Sequence, residues 1–380
     1  MTMRTPLALA AVLFIGGCAQ PIAVVTPSPS SPMPTTTLAT ATPAPTSSVS
    51  PTTVLMAGSF RSVAFPAPAG FPYVGGPVLT DGTQALAAFG DGHSKSTYML
   101  LDLATGTTRT VPVTLTGDLG SPVALVNGRL GVVSWSRTSA GESYRYEIDD
   151  LASGTARTLD TSDAPGHFHG EGSPVQADPG LVLGPNAVAY VHLFVQGPDL
   201  VGELRVGPTA GPMKSVVTSK LPVRPVAITE TTLAYAVPSA EGSQLHVYDL
   251  ASGRDRVAAR GLFGSEVALG PGRLLYTVQS LGAEPGRVMI QDLVTGNESV
   301  LVSGTCNLPS LDDRYASVSC SDPNQATTAI TIYELATLKP IEVARSTDVI
   351  ANAHLSTGTI TWERFDRARP PALFIETLRY

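Results

Sequence analysis

What the chain has little of narrows the field first. It carries 3 cysteines and 2 tryptophans in 380 residues, and charged residues make up 14% of it against 43% hydrophobic. Its N-terminal apolar stretch, residues 6–15, is half the roughly 20 residues that a membrane-crossing helix needs. There is no run of Lys or Arg, and the formal charge is −7, so nucleic acid and anionic membrane surfaces are poor partners. No GxSxG elbow, P-loop, HExxH helix or GxGxxG strand-to-helix junction occurs, which removes the usual signatures of hydrolases, nucleotide-binding proteins and zinc proteases. No strong helical period is present either. With 36 Gly and 32 Pro between short runs of Ala, Val and Leu, the composition is that of an all-β protein.

Against these absences stands a repeat. An aliphatic residue, a turn rich in Gly, Asp, Asn, Pro and Thr, and an apolar run recur seven times, starting at Leu79, Leu125, Leu183, Ile228, Leu269, Leu311 and Leu355. Their spacing of 41 to 58 residues falls in the range of a propeller blade. A second signal follows five of these apolar runs: YMLLDLATG at 98–106, YEIDDLASG at 146–154, LHVYDLASG at 245–253, VMIQDLVTG at 288–296 and ITIYELAT at 330–337. This is hairpin chemistry, in which Asp accepts backbone amides of the turn and Gly supplies the positive φ that lets the next strand return. Each unit then has four strands, and such small sheets bury their faces only against one another, closing into a ring. The last unit supplies three strands, near 349–353, 359–364 and 372–378. The alternating segment FRSVAF, residues 60–65, is therefore expected to be its missing outer strand. The expectation is a seven-bladed β-propeller. Six or eight blades are the alternatives, because the third unit has Gly207-Pro208-Thr209-Ala210-Gly211 in place of the acidic turn.

Ile15-Gly16-Gly17-Cys18, behind the short apolar stretch, resembles the lipobox of bacterial lipoproteins. The resemblance implies that residues 1–17 are a signal peptide and that Cys18 is lipidated and becomes the first mature residue. The alternative is a plain cleaved signal with an incidental cysteine. Residues 18–58 are dominated by Pro, Ser, Thr and Ala, without charge from Gln20 through Phe60, and read as a disordered tether that cannot bury a core. About 40 such residues reach on the order of 120 Å extended and about 35 Å as a flexible coil. The ring then occupies 59–380, held outside the cytoplasm on a bacterial membrane by its lipid anchor and monomeric; loss of Arg4 with the signal makes the mature charge about −8. In that oxidising setting the two remaining cysteines, Cys306 and Cys320, read as a disulfide, the alternative being a pair of buried thiols.

Propellers display chemistry on the face built by second-to-third-strand loops and blade-to-blade links. The longest such link, 160–174, holds Asp163, His167, His169 and Glu171. In an extended segment the last three project to one side, a half-site for zinc or another divalent metal, weighed against a plain solvated linker. No cofactor is otherwise required. Asp91 and His93 sit in a loop of the first unit, and Arg364, Asp366 and Arg367 in the corresponding loop of the last, so the clasped blades would present them on one binding face, unless both are simply solvated hairpins. Trp135 and Trp362 fall in equivalent second strands, where core packing outweighs sugar stacking.

Leu79-Thr80-Asp81-Gly82 before an apolar strand, and the Tyr-Asp-Leu-Ala-Ser-Gly string at Tyr248, resemble the TolB-like and WD40-like propellers of bacteria. The resemblance implies the fold and a habit of protein binding; it carries no functional residue across, since an intact Ser-Pro-Asp-Gly and the Gly-His/Trp-Asp pairing are both missing. Two functions follow as expectations. One is a binding or scaffold module for a protein, peptide or glycan of the cell envelope. The other is an extracytoplasmic propeller enzyme, a metal-dependent hydrolase, lactonase-like enzyme or lyase, working in the central cavity.

Overall fold

The computed structural model describes residues 59–75, 78–92, 95–112, 119–165, 180–239, 242–261, 263–279, 286–322, 327–356, 358–366 and 372–380. These form seven antiparallel sheets, one per repeat, and no helix occurs among them. Within each sheet the strands run outward from the ring axis as inner, second, third and outer. The regular pattern is clear in blade 4: Arg224–Ile228, Thr232–Ser239, Gly242–Asp249 and Asp255–Gly261. Blade 1 departs from it, because its inner strand is split into Tyr73–Val74 and Leu79–Thr80, both paired to Gln84–Gly90. The third repeat is a full blade despite its missing acid, with Asp199–Pro208 turning into Lys214–Ser219.

Ring closure takes the expected form. Phe60–Phe65 pairs antiparallel with Ala372–Arg379, in register from Phe60↔Leu378 to Phe65↔Leu373, and so completes blade 7 from the opposite end of the chain. Phe65 is 2% exposed and meets Phe89 of blade 1 edge to face at 5.5 Å. The core is distributed between blades: Phe89 and Leu101 pack with Leu373 and Ile375, Leu86 with Leu130, Tyr146 with Tyr190, Leu274 with Leu245, Ala316 with Leu275, and Ile360 with Ile330. Removing one blade would expose an apolar face on each neighbour, which is why the ring is one cooperative unit.

The acidic turns work as the repeat predicts. Asp102, Asp150, Asp249 and Asp292 each direct one carboxylate oxygen to the amide and hydroxyl of the Thr or Ser three residues on. Those amide bonds hold all four carboxyls below the usual Asp range. Gly106, Gly154, Gly253 and Gly296 follow at φ between 69° and 78°.

A second periodic device lies across the seams. Arg109, Arg157 and Arg256, each seven residues after a turn acid, reach from an outer strand to carbonyls in the third-to-outer turn of the next blade: Leu151, Thr209 with Gly211, and Leu293. Lys214 does the same to Leu250, and Arg61, on the closing strand, to Leu103 and Ala104. The equivalent positions in blades 5 and 6 are Ser299 and Ile341, so the latch stops there. Blade 6 instead faces Cys306 directly across the register from Cys320, the sulfurs 2.11 Å apart, and Tyr380 donates its hydroxyl to Asp312.

Arg109→Ala and Arg256→Ala are each expected to cost about 1 kcal/mol, read as a lower urea midpoint. The two sites do not touch, so the double variant should lose the sum within about 0.5 kcal/mol. Unchanged midpoints would show that the latches contribute nothing.

Candidate axial channel

The inner strands enclose a cavity of about 500 Å³ on the ring axis, lined from blades 1, 2, 5, 6 and 7. Its wall is mostly small and aliphatic: Leu79, Ala124, Leu125, Val267, Leu269, Leu311. The lining polar side chains are largely committed to the scaffold. Thr80 donates to the Gln84 carbonyl and accepts the Gly82 amide, and Ser310 accepts the Leu355 amide. Asn352 gives its side-chain amide to Glu363. The wall also holds Glu266 and the imidazole of His354.

Inner-strand irregularity aims these groups. The pairing of Val349–Ser356 with Thr359–Asp366 skips a step between Ala351 and His354, and Asn352 sits there at φ 52°. A bulge of this kind re-aims side chains. Here it puts Asn352 against Glu363 and His354 in the channel wall. Burial pushes the His354 imidazole below its ordinary value, with the Asp81 carboxylate opposing the shift, so it is neutral near pH 7.

Behind the wall, Glu363 is 3% exposed at the closing seam. Its carboxyl accepts the Val78 amide at 3.1 Å, a donor left without a strand partner by the split inner strand of blade 1. Burial raises its pKa to about 7 despite the opposing bonds from Asn352 and Val78. The carboxyl here bridges blades 7 and 1.

The expected site residues are not gathered here. Asp91 caps its own loop by accepting the Lys95 amide. Asp163 is an exposed strand residue, because the outer strand of blade 2 runs Thr155–Pro165 against Gly141–Asp150. Residues 160–165 of the expected link are therefore strand, and 166–174 lie outside the described residues. Arg364 and Asp366 likewise lie in the strand Thr359–Asp366, not in a loop. The Arg364 guanidinium is spent on Glu376 at 2.7 Å and Asp348 at 3.2 Å, and lies over Phe374. Cys18, His93, His167, His169, Glu171 and Arg367 lie outside the described residues. Among the described residues no group of three His, Cys, Asp or Glu could hold a metal ion. Trp362 is core, 2% exposed, and donates its indole N–H to Glu376 at 2.7 Å; Trp135 packs partly buried beside blade 3.

No protein family and no curated protein matches the sequence. Solved structures do match. An oligogalacturonate lyase in complex with manganese aligns with TM-score 0.52 at 13% identity, covering 83% of this chain and 90% of its own. The β-propeller domain of the Trilobed protease from Pyrococcus furiosus aligns with TM-score 0.54 at 10% identity, covering 80% and 93%. TolB from Acinetobacter baumannii gives TM-score 0.43 at 13% identity, covering 66% of this chain and 59% of that one. The likeness is one of fold. It agrees with the propeller resemblance carried by the turn motifs, and among the described residues no helix is long and apolar enough to cross a membrane.

The raised pKa of Glu363 has a definite sign. Its folded value of about 7 exceeds the ordinary 4.5, so the folded chain holds an extra proton between those limits and loses stability as pH rises through them, by up to about 3 kcal/mol. Glu363→Gln is expected to raise the melting temperature at about pH 8 and to change it little at about pH 5. The same shift at both pH values would refute a titrating carboxyl.

Proposed function

We propose that this chain is a lipid-anchored, extracytoplasmic binding or scaffold module, which receives a protein, peptide or glycan of the bacterial cell envelope at the axial channel and its mouth. The observation that carries this reading is the channel wall. It is an apolar cup in which Thr80, Ser310 and Asn352 are bound to the scaffold, with an imidazole and a carboxyl in its wall. Concave apolar surface with few convergent polar groups is the usual form of a binding site. The lipobox-like Cys18 and the uncharged tether support the location, and an oxidising exterior is the setting in which a Cys306–Cys320 bond persists.

The intact anchored chain, used as bait on detergent-solubilised envelope, is expected to retain a reproducible partner that Glu266→Lys loses. No reproducible partner, or one indifferent to the channel variant, would overturn the assignment. Cys18→Ser is expected to move the chain from the membrane to the soluble fraction; unchanged membrane retention would refute lipid anchoring through Cys18.

A further inference from the structure

The inner strand of blade 1 stops at Val74 and resumes at Leu79. In neighbouring blade 2 the inner strand slips register between Pro122 and Ala124, which makes Val123 an extra residue without a partner across the ladder. Beside these two interruptions lies a cavity of about 310 Å³, lined by Leu79, Leu86, Ala88 and Tyr98 of blade 1 and by Pro122 and Val123 of blade 2.

The pairing register shows that the two walls face each other. Leu79 stands across from Leu86 and Ala88 across from Tyr98, all on the face whose Leu86 packs with Leu130 of blade 2. Pro122 stands across from Val132, which belongs to the same apolar cluster. Leu79 lines the axial channel as well, and so do Ala124 and Leu125, the two residues after Val123. The cavity is thus a side pocket of the channel, with Leu79 common to both.

The chemistry of the two spaces selects among ligands. Neither lining includes a Lys or Arg among the described residues, so an anion meets no counter-charge. A glycan carries hydroxyls all around its rings, and here most of them would go unpaired, because Thr80, Ser310 and Asn352 are already bound to the scaffold. An acyl chain fails for the opposite reason. The Tyr98 hydroxyl and the His354 imidazole have no hydrogen-bond partner among the described residues, and a hydrocarbon covering them would take water away and give nothing back. A peptide supplies both needs, an apolar side chain and amides beside it. At about 310 Å³ the pocket lies at the small end of ligand sites, the size for a side chain and not for a whole ligand.

We propose that the cavity between blades 1 and 2 is the specificity pocket of the channel. It takes one large apolar side chain, such as Leu or Phe, from an uncharged peptide segment of a partner protein, whose backbone amides pair with the Tyr98 hydroxyl and the His354 imidazole. This rests on the reading of the channel as a binding site and names what enters it.

The test is a saturation-transfer NMR titration of the full folded chain with N-acetyl-Gly-Leu-Gly-amide, N-acetyl-Gly-Ala-Gly-amide, chitobiose and 1-hexanol. The Leu peptide is expected to bind about tenfold more tightly than the Ala peptide, and the sugar and the alcohol more weakly than either. Ala88→Leu, which fills the pocket, and Val123→Trp, which covers it from a site 36% exposed, should each abolish the Leu preference; melting curves check that both fold. Equal affinity for the two peptides, a Leu preference that survives both variants, or preferred binding of chitobiose or 1-hexanol would overturn the proposal. The envelope partner separates this failure from failure of the channel reading. If Glu266→Lys releases that partner while Ala88→Leu and Val123→Trp do not, the side pocket falls and the channel stands; a partner indifferent to all three overturns both.

Discussion

The structure depends on the pairing of Phe60–Phe65 with Ala372–Arg379. Every blade buries its faces against two neighbours, so an unclosed row would leave two apolar sheets in water. Closure by a strand from the far end of the chain converts a one-dimensional stack into a ring in which each seam supports the next. The seam is reinforced from both sides. Phe65 and Phe89 pack within it, Glu376 collects Trp362 and Arg364 behind it, and Glu363 satisfies the Val78 amide.

The seams are not equivalent. From the closing strand through blade 4, a cation on each outer strand holds a turn carbonyl of the next blade. Blades 5 and 6 lack the cation; their seams carry apolar packing and, between blades 7 and 6, the Tyr380–Asp312 bond, while the Cys306–Cys320 pair lies within blade 6. The seam of blade 4 with blade 5 is thus the last latched one.

Function on such a ring lives in side chains that the scaffold does not consume. In the channel that side chain is His354, displayed on an aliphatic wall.

Strand order, blade number and the closing strand were legible in the residues, because local rules decide them: Asp and Gly specify the turns, and period-two runs specify the strands between. The latch was legible too, as an Arg seven residues after Asp102, Asp150 and Asp249, though its meaning needed the neighbouring blade. Other features had no local signal. Arg364 reads as a loop cation but is drawn into blade 7 by Glu376 and Asp348, partners 12 and 16 residues away. Glu363 is one polar residue in an ordinary strand, and only the broken inner strand of blade 1 gives it an amide to bind and an apolar seam to be buried in. The residues by themselves determined that this chain is a ring of hairpins. Which polar groups are spent and which face a ligand was decided only by tertiary structure, since burial and hydrogen-bond partners arise from strands far apart in the chain.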